Sequence, residues 1–563
     1  MLYRQKKKTM KILWIDLNCS YAHNSLALPA LHAQLAQRKD IEWNVVRTTT
    51  GESAGIAVDA VYAHKPDVIA ATAWLFTHEH LLHIIGRLKA LMPEATVILG
   101  GPEFLGDNKE YMLRHQEVDA VLRGEGEESF AKWIDVWNRR EQWSDISGLC
   151  YIDNNRHYHD GGTARVMEFD KLMPPEESQL FCWEKPFVQI ETTRGCFNSC
   201  AFCVSGMGDP MRSLTIEKIR QRLDRIKERG IRDVRILDRT FNYNLRQAMA
   251  LIKLFAEYHP HMRFHLEIHP ALLPQPLREL LATMPKGLLH LEAGIQSLRQ
   301  EVLDSSKRKG TLEQALDGLR FLCSLDNLVT HADLIAGLPH YSLQQIYEDI
   351  KTLARYRAGE IQLESLKLLP GTAMRRDAKA LGIRFSPLPP YEVLQTESIG
   401  SSELQEARRQ SRLLDAYYNT AAWQGVTRKL ITTEEDFLFR FLEYLTKHNY
   451  IDQPMSLERR GELLYLFCMD NYACHAPAVT EAWIEAGMSM RKRPAEKVKS
   501  GKAVAEEFDK WMTCHANTHA VYGEYNKALR MFFLPTDDGG NGIWFGYENT
   551  AQHSAPVFKM VVG

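Results

Sequence analysis

Cys196, Cys200 and Cys203 stand in the run Thr-Thr-Arg-Gly-Cys-Phe-Asn-Ser-Cys-Ala-Phe-Cys, a C-x3-C-x2-C triplet at the end of an apolar segment that reads as a strand. Three thiolates hold three irons of a cubane iron-sulfur cluster, which normally takes four cysteines, so the fourth iron is left open for a ligand. Two other readings fit three clustered cysteines: buried structural thiols, or a zinc site. Zinc normally needs a fourth Cys or His at closed spacing, and His157 and His159 upstream are the candidates.

The elements that must position the triplet repeat as strand then helix from residue 187 to 371. Strands are expected at 187–193, 233–237, 263–268, 288–295, 328–335 and 361–368, with helices at 216–229, 245–258, 277–284, 312–325 and 343–356. Six repeats predict an incomplete (β/α) barrel, in which reactive groups sit at the carboxyl ends of the strands. Polar residues stand at those ends. Asp238, Arg239, Thr240 and Asn242 follow the second strand, Glu292 to Ser297 close the fourth, and His331 to Pro339 close the fifth. Asp333 is either a site acid or a cap for the turn made by Gly337 and Pro339. Glu267 and His269 share a face by the two-residue period of a strand, and with Glu364 and Lys367 on the sixth strand they are candidates for substrate contact or proton transfer.

Residues 11–139 alternate in the same way, with strands expected at 11–17, 42–48, 67–73, 95–100 and 118–122 and helices at 25–38, 53–64, 79–92 and 127–138. This predicts a parallel, doubly wound, Rossmann-like sheet, whose ligand binds beyond the carboxyl ends of the strands. Those ends carry Asn18 and Ser20, Trp74, Gly100, Gly101 and Glu103, and Gly124, Glu125 and Gly126. Glycine there lets a backbone approach a bulky ligand closely. The expected division is 10–145 for this sheet, 146–185 as a linker, 186–385 for the barrel and 386–563 for a mostly helical region. In the last, helices are expected at 402–423, 433–448 and 457–469 and to about 511, followed by strand-like segments around an Asp-Asp-Gly-Gly turn.

A chain of 563 residues exceeds what one core serves. A formal charge of -2, from 69 basic and 71 acidic side chains, provides no electrostatic footprint for nucleic acid or an anionic membrane. The basic start followed by the short apolar run 12–17 reads as a first strand rather than a signal peptide, with Met10 an alternative start. No stretch reaches the length of a membrane span. Ten sparse cysteines fit reduced thiols in a cytoplasmic protein, although Cys468, Cys474 and Cys514 are also candidates for an auxiliary cluster.

With Phe202 before the last cysteine and Arg194-Gly195 leading in, the triplet resembles that of the radical S-adenosylmethionine (radical SAM) superfamily. The series PDVIAATAW, VILGGPEF and VDAVLRGEGEESF resembles the cobalamin-binding domain that precedes many such barrels. With DRTFN, HADLIAGLP, LKLLPGT and PPYEVL, the whole resembles a bacterial group of cobalamin-binding radical SAM proteins with an appended domain of unknown function. The resemblance implies three cofactors: a [4Fe-4S] cluster on Cys196, Cys200 and Cys203, S-adenosylmethionine (SAM) on its open iron, and cobalamin. It implies that Phe202, Asp238 or Thr240, Glu292, Gln296 and Asp333 contact SAM. Asn18, Ser20, Trp74, Gly100, Gly101, Glu103, Gly124, Glu125 and Gly126 are the corresponding candidates for cobalamin. A cobalt-ligating His two residues after an Asp is replaced here by Leu-Asn after Asp16, which leaves His23 as a loop residue within approach and otherwise no protein ligand.

The implied activity is reductive cleavage of SAM to a 5'-deoxyadenosyl radical, with methyl transfer to an unactivated carbon of a small-molecule substrate and electrons from a donor such as flavodoxin or ferredoxin. Alternatives are radical ring closure or rearrangement, methylthiotransferase-like modification of RNA, and a non-catalytic cobalamin or redox sensor.

Overall fold

The computed structural model describes residues 9–20, 25–205, 210–489, 492–494, 499–500, 504, 506, 508, 510, 529–535, 541–548, 556 and 558–562. His23, Cys514, the Asp-Asp-Gly-Gly turn and most of the helix expected before 511 lie outside the described residues. The chain divides into two compact units, Met1–Leu343 with Ser365–Leu404, and Gln344–Glu364 with Gln405–Gly563.

The first unit opens with strands β1 (Met10–Asn18), β2 (Ile41–Thr49), β3 (Val68–Thr72), β4 (Thr96–Gly100) and β5 (Ala120–Leu122). Helices α1 (Ala27–Leu35), α2 (Ala54–His64), α3 (His78–Leu91), α4 (Lys109–Arg114) and α5 (Gly126–Val136) connect and follow them. These strands are parallel in the order β2-β1-β3-β4-β5. Covered on both faces, they read as near-continuous apolar runs. Alternate residues of β1 divide between two cores, Leu13, Ile15 and Leu17 in one and Ile12 and Trp14 in the other.

The segment expected as a linker instead extends this sheet. Strand β6 (Leu149–Ile152) adds antiparallel to β5 and β7 (Tyr158–Asp160) antiparallel to β6, so the sheet has seven strands and is mixed. The linker reading missed them because each is short and carries little apolar periodicity. Arg123 anchors the addition, donating to the Gly106 and Gly162 carbonyls and to Asp160.

A second parallel sheet follows, with β8 (Phe187–Ile190), β11 (Asp233–Ile236), β12 (Arg263–Ile268), β13 (Leu289–Gln296) and β14 (Val329–Ala336) in that order across it. The numbers between belong to a two-residue ribbon of β9 (Thr193–Arg194) and β10 (Arg212–Ser213). Helices α6 (Ile216–Glu228), α7 (Leu245–Ala256), α8 (Gln275–Ala282), α9 (Gln300–Ser305) and α10 (Leu312–Cys323) alternate with the strands. Val234, Ile236, Phe264, Leu266, Ile268, Leu289 and Leu291 are buried. The intervening His265, Glu267, His290 and Glu292 are half-buried on the opposite face. The sixth expected strand is Glu360–Ser365.

The helix expected over 402–423 is two. Ser401–Leu413 runs into a π turn at Leu414–Tyr418, and a new helix, Ala421–Thr433, starts after Asn419 and Thr420. Phe437–Lys447, Leu457–Asn471 and Ala476–Glu485 follow. Strands Lys499–Ser500, Leu529–Pro535, Gly542–Glu548 and Phe558–Val562 form an antiparallel sheet, with Phe532, Leu534, Ile543, Phe545 and Tyr547 packed on Ile484. No described helix is long and apolar enough to cross a membrane.

Candidate active site

Cys196 and Cys200 are buried and Cys203 is half-buried, all as free thiols. Their loop is tied down on several sides. The Ala201 amide donates to the Ser306 carbonyl at 2.9 Å, and the Met374 amide donates to the Ala201 carbonyl at 2.8 Å. Lys309 donates from Nζ to the Phe197 carbonyl at 2.7 Å and from its amide to the Asn198 side chain at 2.9 Å. Burial raises the Cys200 thiol pKa, while the Arg308 guanidinium, 3.8 Å from Sγ, opposes that shift. A buried loop carrying three thiols with a cation beside it suits three thiolates on a cluster. His157 and His159 are tied up elsewhere, both facing Asp153.

Of the SAM candidates outside the cysteine loop, Thr240 reaches the thiols, its Oγ1 lying 3.7 Å from Cys196 Sγ and donating to the Arg239 carbonyl. Asp238 is engaged otherwise. Its Oδ1 accepts from the Thr192 and Thr193 amides at 2.7 and 2.9 Å, and its Oδ2 accepts from the Thr192 hydroxyl. Burial nevertheless holds its pKa up at about 6. Those bonds fold the strand end onto the start of the cysteine loop. Gln296 sits at a bulge in β13 with φ 72, and its side chain folds back over Gly294. Phe202 is half-buried in the cysteine loop.

Glu292 and Asp333 belong to a connected row on the inner face of the sheet. His265 Nε2 lies 2.8 Å from Glu292, and His331 Nε2 lies 3.0 Å from Asp333. Burial outweighs His331 and raises Asp333 to about 6; burial also pushes Glu292 up, but the hydrogen bond to His265 together with the charges of His331 and His265 outweighs it and lowers Glu292 to about 2. Glu267 is raised to about 7 by burial, despite Arg239 at 3.3 Å. His269 is buried, its ring edge-on to Phe197, and burial lowers it to about 3, which keeps it neutral. Glu364 is exposed, and Lys367 lies over the Phe76 ring.

A cavity of about 430 Å³ runs from the strand ends of the first sheet to the cysteine loop. Trp74, Gly100, Gly101, Gly124, Glu125 and Gly126 line one side, and Arg194, Gly195, Val204, Ser205 and Arg239 line the other. Asn18, Ser20 and Glu103 are not among its lining residues. Asn18 donates to Asp16, and Glu103 is buried against Tyr391.

The glycines divide by role. Gly101 and Gly124 have φ +114 and +99, and a Cβ on either would strike the chain itself, at the Ala73 or the Ala164 carbonyl. Gly100 is different: a Cβ there would meet only the Leu122 carbonyl, at 3.9 Å. Space beside a glycine, in a cavity with a mostly small and apolar floor, suits a bulky ring cofactor with an apolar tail. Arg212, Arg308 and Lys309 escaped the sequence reading because isolated cations carry no motif or period, and Arg194 entered it only as part of the lead-in to the cysteines.

Residues 21–134 match the family described as B12 binding domain, and 190–353 match the Radical SAM superfamily. Residues 379–485 match DUF4080, a protein of unknown function. An uncharacterized methyltransferase of Pyrococcus horikoshii is 23% identical over 321 residues, covering 55% of this chain and 68% of its own. The 2-(S-pantetheinyl)-carbapenam-3-carboxylate methyltransferase of Streptantibioticus cattleyicolor is 22% identical, with 60% of this chain and 52% of its own covered. The chain thus spans only about half of the latter's length. The solved structure of the cobalamin-dependent S-adenosylmethionine radical enzyme OxsB with aqua-cobalamin bound superposes with TM-score 0.61 at 13% identity, covering 91% of this chain and 85% of that one.

The matched families bring a [4Fe-4S] cluster and SAM to the barrel and cobalamin to the first sheet. The chain thus carries, in order, a region that matches the B12 binding domain, a region that matches the Radical SAM superfamily and a region that matches DUF4080.

Proposed function

We propose that this chain is an enzyme that cleaves SAM reductively and transfers a methyl group to an unactivated carbon of a small-molecule substrate. One observation carries the reading: a single cavity is bounded by the glycine turns of the B12-binding domain and by the cysteine loop of the barrel. Cofactors held on the two sides would share one space. Bound there, the cluster, SAM and cobalamin supply a carbon-centred radical and a transferable methyl group.

On this reading Cys196, Cys200 and Cys203 ligate the cluster, with Arg308 offsetting thiolate charge beside Cys200. Thr240, Gln296, Glu292 and Asp333 face SAM or substrate. Trp74, Gly100 and the Gly124–Gly126 turn border cobalamin, and Glu125 holds that turn through Arg212 and Arg194. The half-buried polar inner face of the sheet suits a hydrophilic substrate, and the carbapenam relative named above supports a small-molecule acceptor. Electrons come from a reduced flavodoxin- or ferredoxin-type protein. The barrel takes 186–385 and the mostly helical region 386–563, which holds most of the DUF4080 match, follows it; the B12-binding domain starts at 10 and, with β6 and β7, runs past 145.

The test is anaerobic cluster reconstitution, reduction, and incubation with cobalamin, methyl-labelled SAM and a metabolite extract, read by mass spectrometry. Release of 5'-deoxyadenosine and S-adenosylhomocysteine with a labelled product is expected. Release of 5'-deoxyadenosine alone would move the reading to ring closure or rearrangement. No cleavage by cluster-loaded protein would overturn it.

A further inference from the structure

Arg194 lies between the two cofactor sides of the cavity. It belongs to the cysteine loop, two residues before Cys196, yet two of its three carboxylate partners, Glu125 and Glu127, come from the B12-binding domain. Nη2 donates to Glu127 at 2.6 Å and to Glu191 at 2.8 Å, Nε donates to Glu191 at 3.1 Å, and Nη1 reaches Glu125 at 3.4 Å. The guanidinium also stacks 4.4 Å from the Phe169 ring centroid. Arg212, just beyond the loop, forks onto Glu125 at 2.6 and 2.9 Å and donates to the Val166 carbonyl, while the Val166 amide donates back to Glu125 at 2.9 Å. The side chains are sheltered, Arg194 being 14% exposed and Glu127 7%.

Glu125 and Glu127 flank Gly126 at the start of α5, the turn that borders the cavity. Five charged groups, three carboxylates and two guanidiniums, therefore join that turn to the loop carrying the thiols. A planar fork held by several carboxylates admits one geometry, and a point-charge ammonium cannot reproduce it. Breaking a sheltered pair leaves a charge without its partner, so the two segments move together or stay together.

We propose that Arg194 is a positioning residue that couples the cobalamin site to the cluster and SAM site, so that filling either alters affinity at the other. This rests on the functional reading above. Coupling between sites is reciprocal and commonly about fivefold or more.

Full-length protein with an oxidised, reconstituted cluster is titrated with hydroxocobalamin, followed by its visible spectrum, with and without SAM. SAM binding is then measured with and without hydroxocobalamin. In the parent protein each ligand is expected to change the other's Kd by the same factor, about fivefold or more. Arg194→Lys and Glu127→Gln should each retain iron, sulfide and both ligands, with the factor falling below about twofold. Arg220→Gln, which cuts an exposed pair with Glu257, should leave it unchanged and serves as control. Independent affinities in the parent protein, or coupling that survives in both variants, would overturn the proposal. If one variant does not fold, the other decides. Protein that takes up neither cluster nor cobalamin would sink the functional reading itself, a different result from two ligands that bind independently.

Discussion

Tyr391 donates its phenolic hydrogen bond to Glu103, joining the turn after β4 to the segment that follows the barrel across 288 positions of sequence. Both side chains are buried. Arg375 lies 4.2 Å from the Tyr391 ring centroid, and His78 Nδ1 is 3.7 Å from Glu103. Tyr391→Phe removes the donor and leaves a buried carboxylate oxygen without it, a loss of about 1–3 kcal/mol. A lower thermal midpoint with unchanged hydroxocobalamin uptake is expected, because neither residue lines the cavity.

Asp238 separates two roles by substitution. Asp238→Asn keeps an acceptor for the Thr192 and Thr193 amides, so near-normal stability and SAM affinity are expected. Asp238→Ala strands buried donors at about 1–3 kcal/mol each, and its thermal midpoint should drop sharply. SAM affinity lost in the Asn variant with the fold intact would instead make Asp238 a direct ligand.

Gly100 and Gly101 should part company. Gly100→Val has room in the backbone, so the protein should fold while hydroxocobalamin affinity falls by about tenfold, about 1.4 kcal/mol. Gly101→Ala forces a Cβ to within 2.7 Å of the Ala73 carbonyl at positive φ, so stability should fall first. Visible titration and thermal unfolding read the two effects separately.

Glu267 makes stability depend on pH. Its pKa rises from 4.5 to about 7 by burial, with Arg239 and His265 opposing and Glu292 and Asp333 reinforcing the shift. The folded state therefore binds the proton more tightly than the unfolded chain, and this contribution is present below the unfolded value and lost as pH climbs through about 7. Glu267→Gln abolishes it. The variant should gain on the parent in thermal midpoint between about pH 5 and about pH 8, and a pH-independent difference would refute the assignment.

Much of the site is legible in one dimension because its parts are local. C-x3-C-x2-C is a contiguous loop, the strand and helix periods run within each element, and Gly101 and Gly124 mark turns whose positive φ belongs to the turn itself. These features decided the three thiols, the alternating strands and helices, and the strand ends at which a ligand would lie. Side-chain partnership is another matter. Asp238 looked like a free acid at a strand end until its carboxylate closed on the backbone 45 and 46 residues earlier. Glu103 stood in a ligand-binding turn by position, yet it turns to Tyr391. Arg194 found Glu127 67 residues away. Charge pairing and desolvation depend on what folding brings within a few ångströms, so only the tertiary structure decided which of these polar groups face the cavity and which hold it together.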